Sequence, residues 1–250
     1  MPACCEGTGV EPVAGTAVEA KASATVEPEA SVETAALGTI SREEWRTALY
    51  EKFGRELSER LEGAQVAICG AGGLGSNVAI SLARAGVGSL QLFDFDTVDL
   101  SNLNRQQYAV SQLGQPKVLA LAHNLAQIAP FCRIQAYELR ISPELIPGLF
   151  DGADVICECF DNPEQKALLV QGVRESYPET PLVAASGMAG MGSANQVVTR
   201  KVGRNFYLCG DGASDVADGL PLAAPRVLAC AAHEAHMVLR LLAGYDAVLG

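Results

Sequence analysis

The sequence predicts an α/β fold: a Rossmann-like, mostly parallel sheet with helices on both faces, extended by a few antiparallel strands in the C-terminal quarter. Three observations carry this expectation. From residue 65 onward, short apolar runs alternate with segments of helical period, the pattern of parallel strands joined by crossover helices. A glycine turn, Gly70-Ala71-Gly72-Gly73-Leu74-Gly75, joins the first apolar run to the first such helix. Apolar residues make up 49% of the chain and aromatics only 6%, so the interior is to be built from Ala, Val, Leu and Ile, as in helix-covered parallel sheets.

Residues 1–38 are mostly Ala, Glu, Val, Thr, Pro and Gly, without an aromatic residue, which reads as a disordered acidic tail. Residues 39–250 are long enough for one α/β domain and too short for two. Ser41-Arg42-Glu43-Glu44 is a capping box, and Trp45, Leu49, Phe53, Leu57 and Leu61 follow at near-helical spacing, so a helix enters the domain there. Gln65–Cys69 reads as a buried strand, Ser76–Ala85 as a helix and Ser89–Phe93 as a second strand, a βαβ unit. Helix Pro116–Ile128, strand Arg133–Leu139, a short helix over Pro143–Phe150, strand Asp154–Cys159, helix Pro163–Tyr177 and strand Leu182–Ala185 continue the alternation. After the glycine-rich Ser186–Gly192 turn, Asn195–Lys201 and Asn205–Cys209 read as further strands, and Pro225–Leu242 as a closing helix.

The formal net charge is −11, five units of it in the tail, where six Glu face one Lys. An acidic chain is a poor match for nucleic acid or an anionic membrane, which need a basic face. Eight cysteines are scattered, several inside apolar runs such as Val155-Ile156-Cys157; buried thiols suit a reducing compartment better than a disulfide framework. No run approaches a membrane span, and the first residues lack a secretion-signal pattern, so the expected location is the cytoplasm.

The glycine turn follows a strand and opens a helix, where unpaired N–H groups and the helix dipole favour an anion. Gly70, Gly72, Gly73 and Gly75 let the backbone come close to a phosphate, and Asp94 at the end of the next strand is placed for a ribose hydroxyl. NAD, FAD and ATP binders share this much. Further on come Asp94-Phe95-Asp96, then Ser101-Asn102-Leu103-Asn104-Arg105-Gln106, then Gly114-Gln115-Pro116-Lys117. A triphosphate attacked at its α-phosphorus needs cations beyond a helix terminus. Arg105 can fork two phosphate oxygens and Lys117 can act as a point charge on the transition state. Asp161 and Asn162 close an apolar strand at the end where open sheets place ligands. Either can cap the helix beginning at Pro163, and Asp161 can hold Mg²⁺ between phosphate oxygens.

These five pieces, in this order, resemble the ThiF, MoeB and HesA group of ubiquitin-activating-like enzymes. Ala184–Gly190 and Phe206–Gly212 extend the resemblance toward its shorter, second type of ThiF. The resemblance implies ATP and Mg²⁺, and adenylylation of the terminal glycine carboxylate of a small ubiquitin-like sulfur carrier of the ThiS type ending in Gly-Gly, with release of pyrophosphate, in thiamine biosynthesis. It implies a homodimer and nucleotide or metal contacts at Gly73, Asp94, Ser101, Asn102, Leu103, Asn104, Arg105, Lys117, Asp161 and Asn162, with Asp96 in the same stretch. Catalysis falls to Arg105, Lys117 and Asp161. An arginine reaching into a partner's site is Arg55 or Arg46.

The two Cys-x-x-Cys pairs that hold structural zinc in longer members are absent here. Cys157 and Cys159 lack a second pair, and His233 with His236 lacks a third ligand, so no structural zinc is expected. Cys209 is the nearest match to a sulfur-linking cysteine, with a buried thiol as its other reading. Three other functions compete: the tRNA threonylcarbamoyladenosine dehydratase of the same superfamily, a non-catalytic partner of an activating enzyme, and a dinucleotide oxidoreductase. The dehydratase wants a basic tRNA surface; the non-catalytic partner would have lost Arg105, Lys117 or Asp161; the oxidoreductase leaves Asn102 to Arg105 and Lys117 unexplained.

Overall fold

The computed structural model describes residues 26–32 and 40–245. Among them runs one sheet of eight strands: β1 (Ala30–Val32), β2 (Gln65–Cys69), β3 (Ser89–Asp94), β4 (Arg133–Glu138), β5 (Val155–Glu158), β6 (Leu182–Ala185), β7 (Val198–Gly203) and β8 (Phe206–Gly210). Their spatial order is β1-β4-β3-β2-β5-β6-β8-β7. From β4 across to β8 every neighbouring pair is parallel, whereas β1 and β7 run antiparallel at the two edges. The expected α/β sheet is therefore present, its C-terminal extension being the antiparallel pair β7–β8. The chain winds outward from β2 to β3 and β4, then returns to place β5 on the other side of β2. That reversal opens a crevice beyond the carboxyl ends of β2 and β5, where sheets of this kind bind ligands.

The tail expectation needs correcting. Residues 1–25 and 33–38, with Cys4 and Cys5, lie outside the described residues, but Ala30–Val32 is a strand in register with Ile134–Ala136 of β4. Glu29 N–H also donates to Ala136 O at 2.8 Å. The open edge of β4 recruits backbone, whose hydrogen bonds need no side-chain period, so a three-residue strand leaves no signature in the sequence.

The helices are α1 (Arg42–Phe53), α2 (Arg55–Gly63), α3 (Gly73–Ala85), α4 (Lys117–Ile128), α5 (Ile146–Leu149), α6 (Pro163–Ser176) and α7 (Ala224–Leu242). Ser41 and Glu44 form the expected capping box. The entering helix is broken in two at Gly54, whose φ of 77° terminates α1. Strand faces alternate as burial on two sides demands. Val66 and Ile68 point into the core beneath α3, α4 and α7, while Ala67 and Cys69 face Phe93, Tyr137 and Phe150 on the α5–α6 side. There Phe93 stacks on Tyr137 with centroids 4.6 Å apart. The described cysteines are all buried and free, and no helix among these residues is long and apolar enough to cross a membrane.

Helix α7 carries Glu234 fully buried among thiols. Its Oε1 accepts from Cys159 Sγ at 3.3 Å, and its Oε2 has no hydrogen-bond partner among the described residues. Burial pushes this carboxyl up to about 8 from an ordinary 4.5. Between those pH values the unfolded chain releases the proton and the folded one keeps it, so stability from this group is complete below the ordinary value and falls as pH rises. Each pH unit in the window corresponds to about 1.4 kcal/mol. Glu234→Gln should therefore gain stability over the wild type as the buffer is taken from about pH 5 to about pH 8. Urea denaturation of both proteins across that range checks it, and a difference that stays flat or shrinks contradicts it.

Candidate functional site

At the reversal point, backbone comes so close to backbone that side chains are excluded. Gly70 has φ 102°, and a Cβ there would stand 2.8 Å from Cys159 O at the end of β5. A Cβ on Gly75 would stand 1.8 Å from Gly70 O. These two glycines are thus consumed in packing the turn between β2, β5 and α3. Gly72 and Gly73, free of such backbone contacts, line with Gly70 a cavity of about 300 Å³. Gly72 is the N-cap of α3 and offers no side-chain cap, which leaves the first N–H groups of the helix for an anion.

Asp94 fixes this turn to the end of β3. Its Oδ2 accepts from Ala71 N–H at 2.7 Å and its Oδ1 from Asp96 N–H at 2.8 Å. Burial raises its carboxyl, against the opposing pull of Lys117 and of those two amides. Tyr108 OH, donating to Ala71 O at 2.6 Å, holds the turn from the other side. Asp96 is paired with Lys117: Nζ lies 2.8 Å from Oδ2, and the Lys117 side chain is 8% exposed. Lys117 N–H also donates to Asp96 O at 2.9 Å. The long polar loop is thereby closed at its base, and Lys117 begins α4 at the cavity wall.

Within that loop the expected residues divide. Arg105 lines the cavity, its methylene groups against Gly73. Its Nη1 donates to Asn104 Oδ1 at 2.8 Å and to Ser101 O at 3.2 Å. Ser101, Asn102, Leu103 and Asn104 are not among the cavity-lining residues. Ser101 Oγ donates to Asp99 Oδ1 at 2.6 Å, and Asn102 Oδ1 accepts from Asp99 N–H at 3.0 Å, which closes a turn of 3₁₀ helix. In this conformation these residues set the position of Arg105. Asp161 and Asn162 both line the cavity, with different engagements. Asn162 Oδ1 accepts from Gln165 N–H at 2.9 Å as the cap of α6, and Asp161 is exposed.

The cavity also takes in side chains the motifs do not announce. Phe95 and Arg140 stand together at its β3–β4 end, with the guanidinium 4.6 Å from the ring centroid. Lys166 stands at the β5–β6 end, its Nζ 2.7 Å from Glu158 Oε2. A spacing of four residues from a helix cap is the signal that could have found Lys166, because the side chain one turn in lies over the helix start. Arg140, from a loop after β4, carries no comparable signal. Arg226, almost fully buried, ties Gly192 O, Ser193 O and Asp211 together under the β8–α7 loop.

Arg46 and Arg55 do not line the cavity. Arg46 pairs with Glu62 at 3.0 Å, whereas Arg55, with a side chain 74% exposed, pairs only loosely with Glu59 at 3.4 Å. Cys209 is buried, and burial pushes its thiol up to about 12, which leaves it protonated and a weak nucleophile. His233 Nδ1 lies 3.0 Å from Thr199 Oγ1. Among the described residues no three His, Cys, Asp or Glu side chains gather as a metal site.

The sequence profile of the ThiF family matches residues 46–248. The chain is 33% identical over 162 residues to the adenylyltransferase and sulfurtransferase uba4 of Pyricularia oryzae, a match covering 59% of this chain and 33% of that protein. It is 38% identical over 128 residues to the probable adenylyltransferase/sulfurtransferase MoeZ of Mycobacterium tuberculosis, covering 49% and 33%. With the tRNA threonylcarbamoyladenosine dehydratase of Bacillus subtilis it shares 37% identity over 139 residues, 55% of this chain and 54% of the other. The chain thus spans between a third and just over half of these relatives' lengths. In fold it is similar to the E. coli tRNA N6-threonylcarbamoyladenosine dehydratase, with a TM-score of 0.73 at 20% identity over 83% of this chain and 98% of that one. The ATP complex of the same E. coli protein gives a TM-score of 0.72 at 22% identity, over 85% and 100%.

The division between packing and cradle glycines is open to test. Gly75→Ala should cost more than about 2 kcal/mol, since its Cβ meets backbone that cannot yield. Gly72→Ala, whose Cβ would lie 3.8 Å from Gln106 Nε2, should fold normally. Thermal unfolding of both variants checks this, and a stable Gly75→Ala contradicts the packing role.

Proposed function

The chain belongs to the ThiF family, and from that premise we propose that it is an ATP-dependent adenylyltransferase acting on a ThiS-like sulfur carrier. The acceptor is the C-terminal glycine carboxylate of that small protein, and pyrophosphate is released. The observation that carries the proposal is the convergence of Arg105, Lys117 and Asp161 on one cavity around the open N-terminus of α3.

The chemistry follows from what each group can do. Asp94 keeps a second lone pair on each oxygen after accepting its two amides, enough to receive ribose hydroxyls. The N–H groups at Gly72 and Gly73 receive phosphate oxygens. Arg105 and Lys117 neutralise the charge that builds as the α-phosphorus is attacked. Asp96 keeps the Lys117 ammonium oriented until phosphate oxygens compete for it. An oxygen lone pair of the carboxylate forms the new bond to the α-phosphorus, and the bond to the bridging oxygen breaks with its electron pair leaving on pyrophosphate. The nucleophile is already ionised, so no general base is required, and alignment with charge stabilisation does the rest. Asp161 fits Mg²⁺ as a single hard oxygen donor, because this ion takes most of its ligands from phosphate and water; when bound, the ion offsets phosphate charge.

A second reading, the tRNA dehydratase, is favoured by the near-complete overlap with the E. coli fold. Against it stands the charge. The chain carries −11, and Asp215 and Asp218 lie exposed on the loop beside the cavity. In a homodimer, the exposed Arg55 rather than Arg46 would be the residue available to a partner's site.

Exchange of labelled pyrophosphate into ATP tests both readings. It should require a carrier ending in Gly-Gly, and exchange with threonylcarbamoylated tRNA in its place would instead establish the dehydratase. Lys117→Ala and Asp161→Ala should each lower the exchange at least about a hundredfold, the size seen when one transition-state donor is removed, with unchanged circular dichroism. Full activity in either variant would reject its assigned role.

A further inference from the structure

The cavity has one cation on the side away from the nucleotide track. That track runs from Asp94 at the end of β3, across the start of α3 beyond β2, to Asp161 after β5. In the sheet order the next strand is β6, and the wall beyond it is formed by Ser186 to Met188 with Asp215 and Val216. Lys166 reaches this wall from α6. Its Nζ donates to Glu158 Oε2 at 2.7 Å and to Ala185 O, the last residue of β6, at 3.0 Å. Arg105 and Lys117 stand on the other side, at Gly73 and Asp96.

An ordinary surface lysine keeps its ammonium mobile and hydrated. Here the Lys166 side chain is 24% exposed and its partner Glu158 only 2%. Glu158 is itself held, its Oε1 accepting from Phe160 N–H at 2.8 Å. An ammonium has three donors, and two are spent on Glu158 and Ala185. The third is left for the cavity, on a head group whose position is set before any ligand arrives, the arrangement that makes a charged donor effective.

We infer that Lys166 receives the acceptor's carboxylate and positions it for attack, with Glu158 as the residue that orients Lys166. The inference rests on the carboxylate-activation reading above and assigns the acceptor end of the same cavity. It applies to a carrier's terminal glycine and to any other carboxylate acceptor alike, since a fixed ammonium recognises the shared group.

Lys166→Gln alone would strand a buried carboxylate, which destabilises for reasons unrelated to substrate. The informative protein is Lys166→Gln combined with Glu158→Gln. In pyrophosphate exchange it should raise the KM for the acceptor about tenfold to a hundredfold, the worth of one charge-assisted hydrogen bond, and leave the KM for ATP within about twofold. Lys166→Arg should restore most of the acceptor affinity. An unchanged acceptor KM, or an equal rise in both KM values, overturns the assignment. A second measurement needs no variant: Lys166 acetylation by an amine-reactive ester, mapped by mass spectrometry in the wild-type protein. A Gly-Gly carrier with a free terminal carboxylate should protect Lys166, and the same carrier with a terminal amide should not. Protection by ATP alone, or equal protection by the amide, also overturns it. Wild-type exchange with neither carrier nor tRNA would instead remove the carboxylate-activation reading, and this inference with it.

Discussion

The close approach of β2, β3 and β5 at one turn is the constraint on which the rest of the structure depends. Gly70 N–H donates to Phe93 O at 2.7 Å, its missing Cβ admits Cys159 O, and Gly75 lets α3 start against Gly70 itself. Asp94 then secures the turn through two amides of the backbone. No space is left for side chains at this junction, so the helix N-terminus points straight into the crevice at the sheet's reversal. The cavity, the cradle for an anion and the line of approach from β3 to β6 all follow from that packing.

Around this junction stand three cation–carboxylate pairs: Lys117 with Asp96, Lys166 with Glu158, and Arg226 with Asp211. Each places at least one nearly buried member beside the cavity or the loop that covers it. Buried pairs add little net stability, yet losing one partner is costly because the other charge is then stranded. Their value here is positional. A phosphate or a carboxylate entering the cavity meets cations whose direction is already set, which lowers the reorganisation needed as charge develops.

Much of this was legible beforehand because it depends on local pattern. Strand Gln65–Cys69 and strand Leu182–Ala185 fall where the apolar runs predict them, and Ser41 caps α1 by the box its spacing implies. Helix α3 begins at Gly73, three residues before the expected Ser76, because the glycines the pattern assigns to a turn are partly helical. Strand β1 was invisible, since backbone pairing with an open edge needs no particular side chains. Arg140 was invisible as a site residue for another reason, and Lys166 was marked only by its spacing of four from the cap Asn162: each becomes a cavity wall only when separate strands lie side by side.

By itself the sequence determined the α/β class, the order of the strands along the chain and the residue types able to meet a triphosphate, because periodicity, glycine turns and charge are properties of contiguous residues. Only the tertiary structure decided which of those residues share a cavity. It gave Gly70 and Gly75 the tight backbone contacts that Gly72 and Gly73 lack, engaged Asn162 in capping and left Asp161 exposed beside it in the cavity, and withdrew Ser101 to Asn104 into the turn that aims Arg105. These are outcomes of distance between segments far apart in the chain, governed by backbone contact across the sheet and by the burial of charge, and neither is written in local spacing.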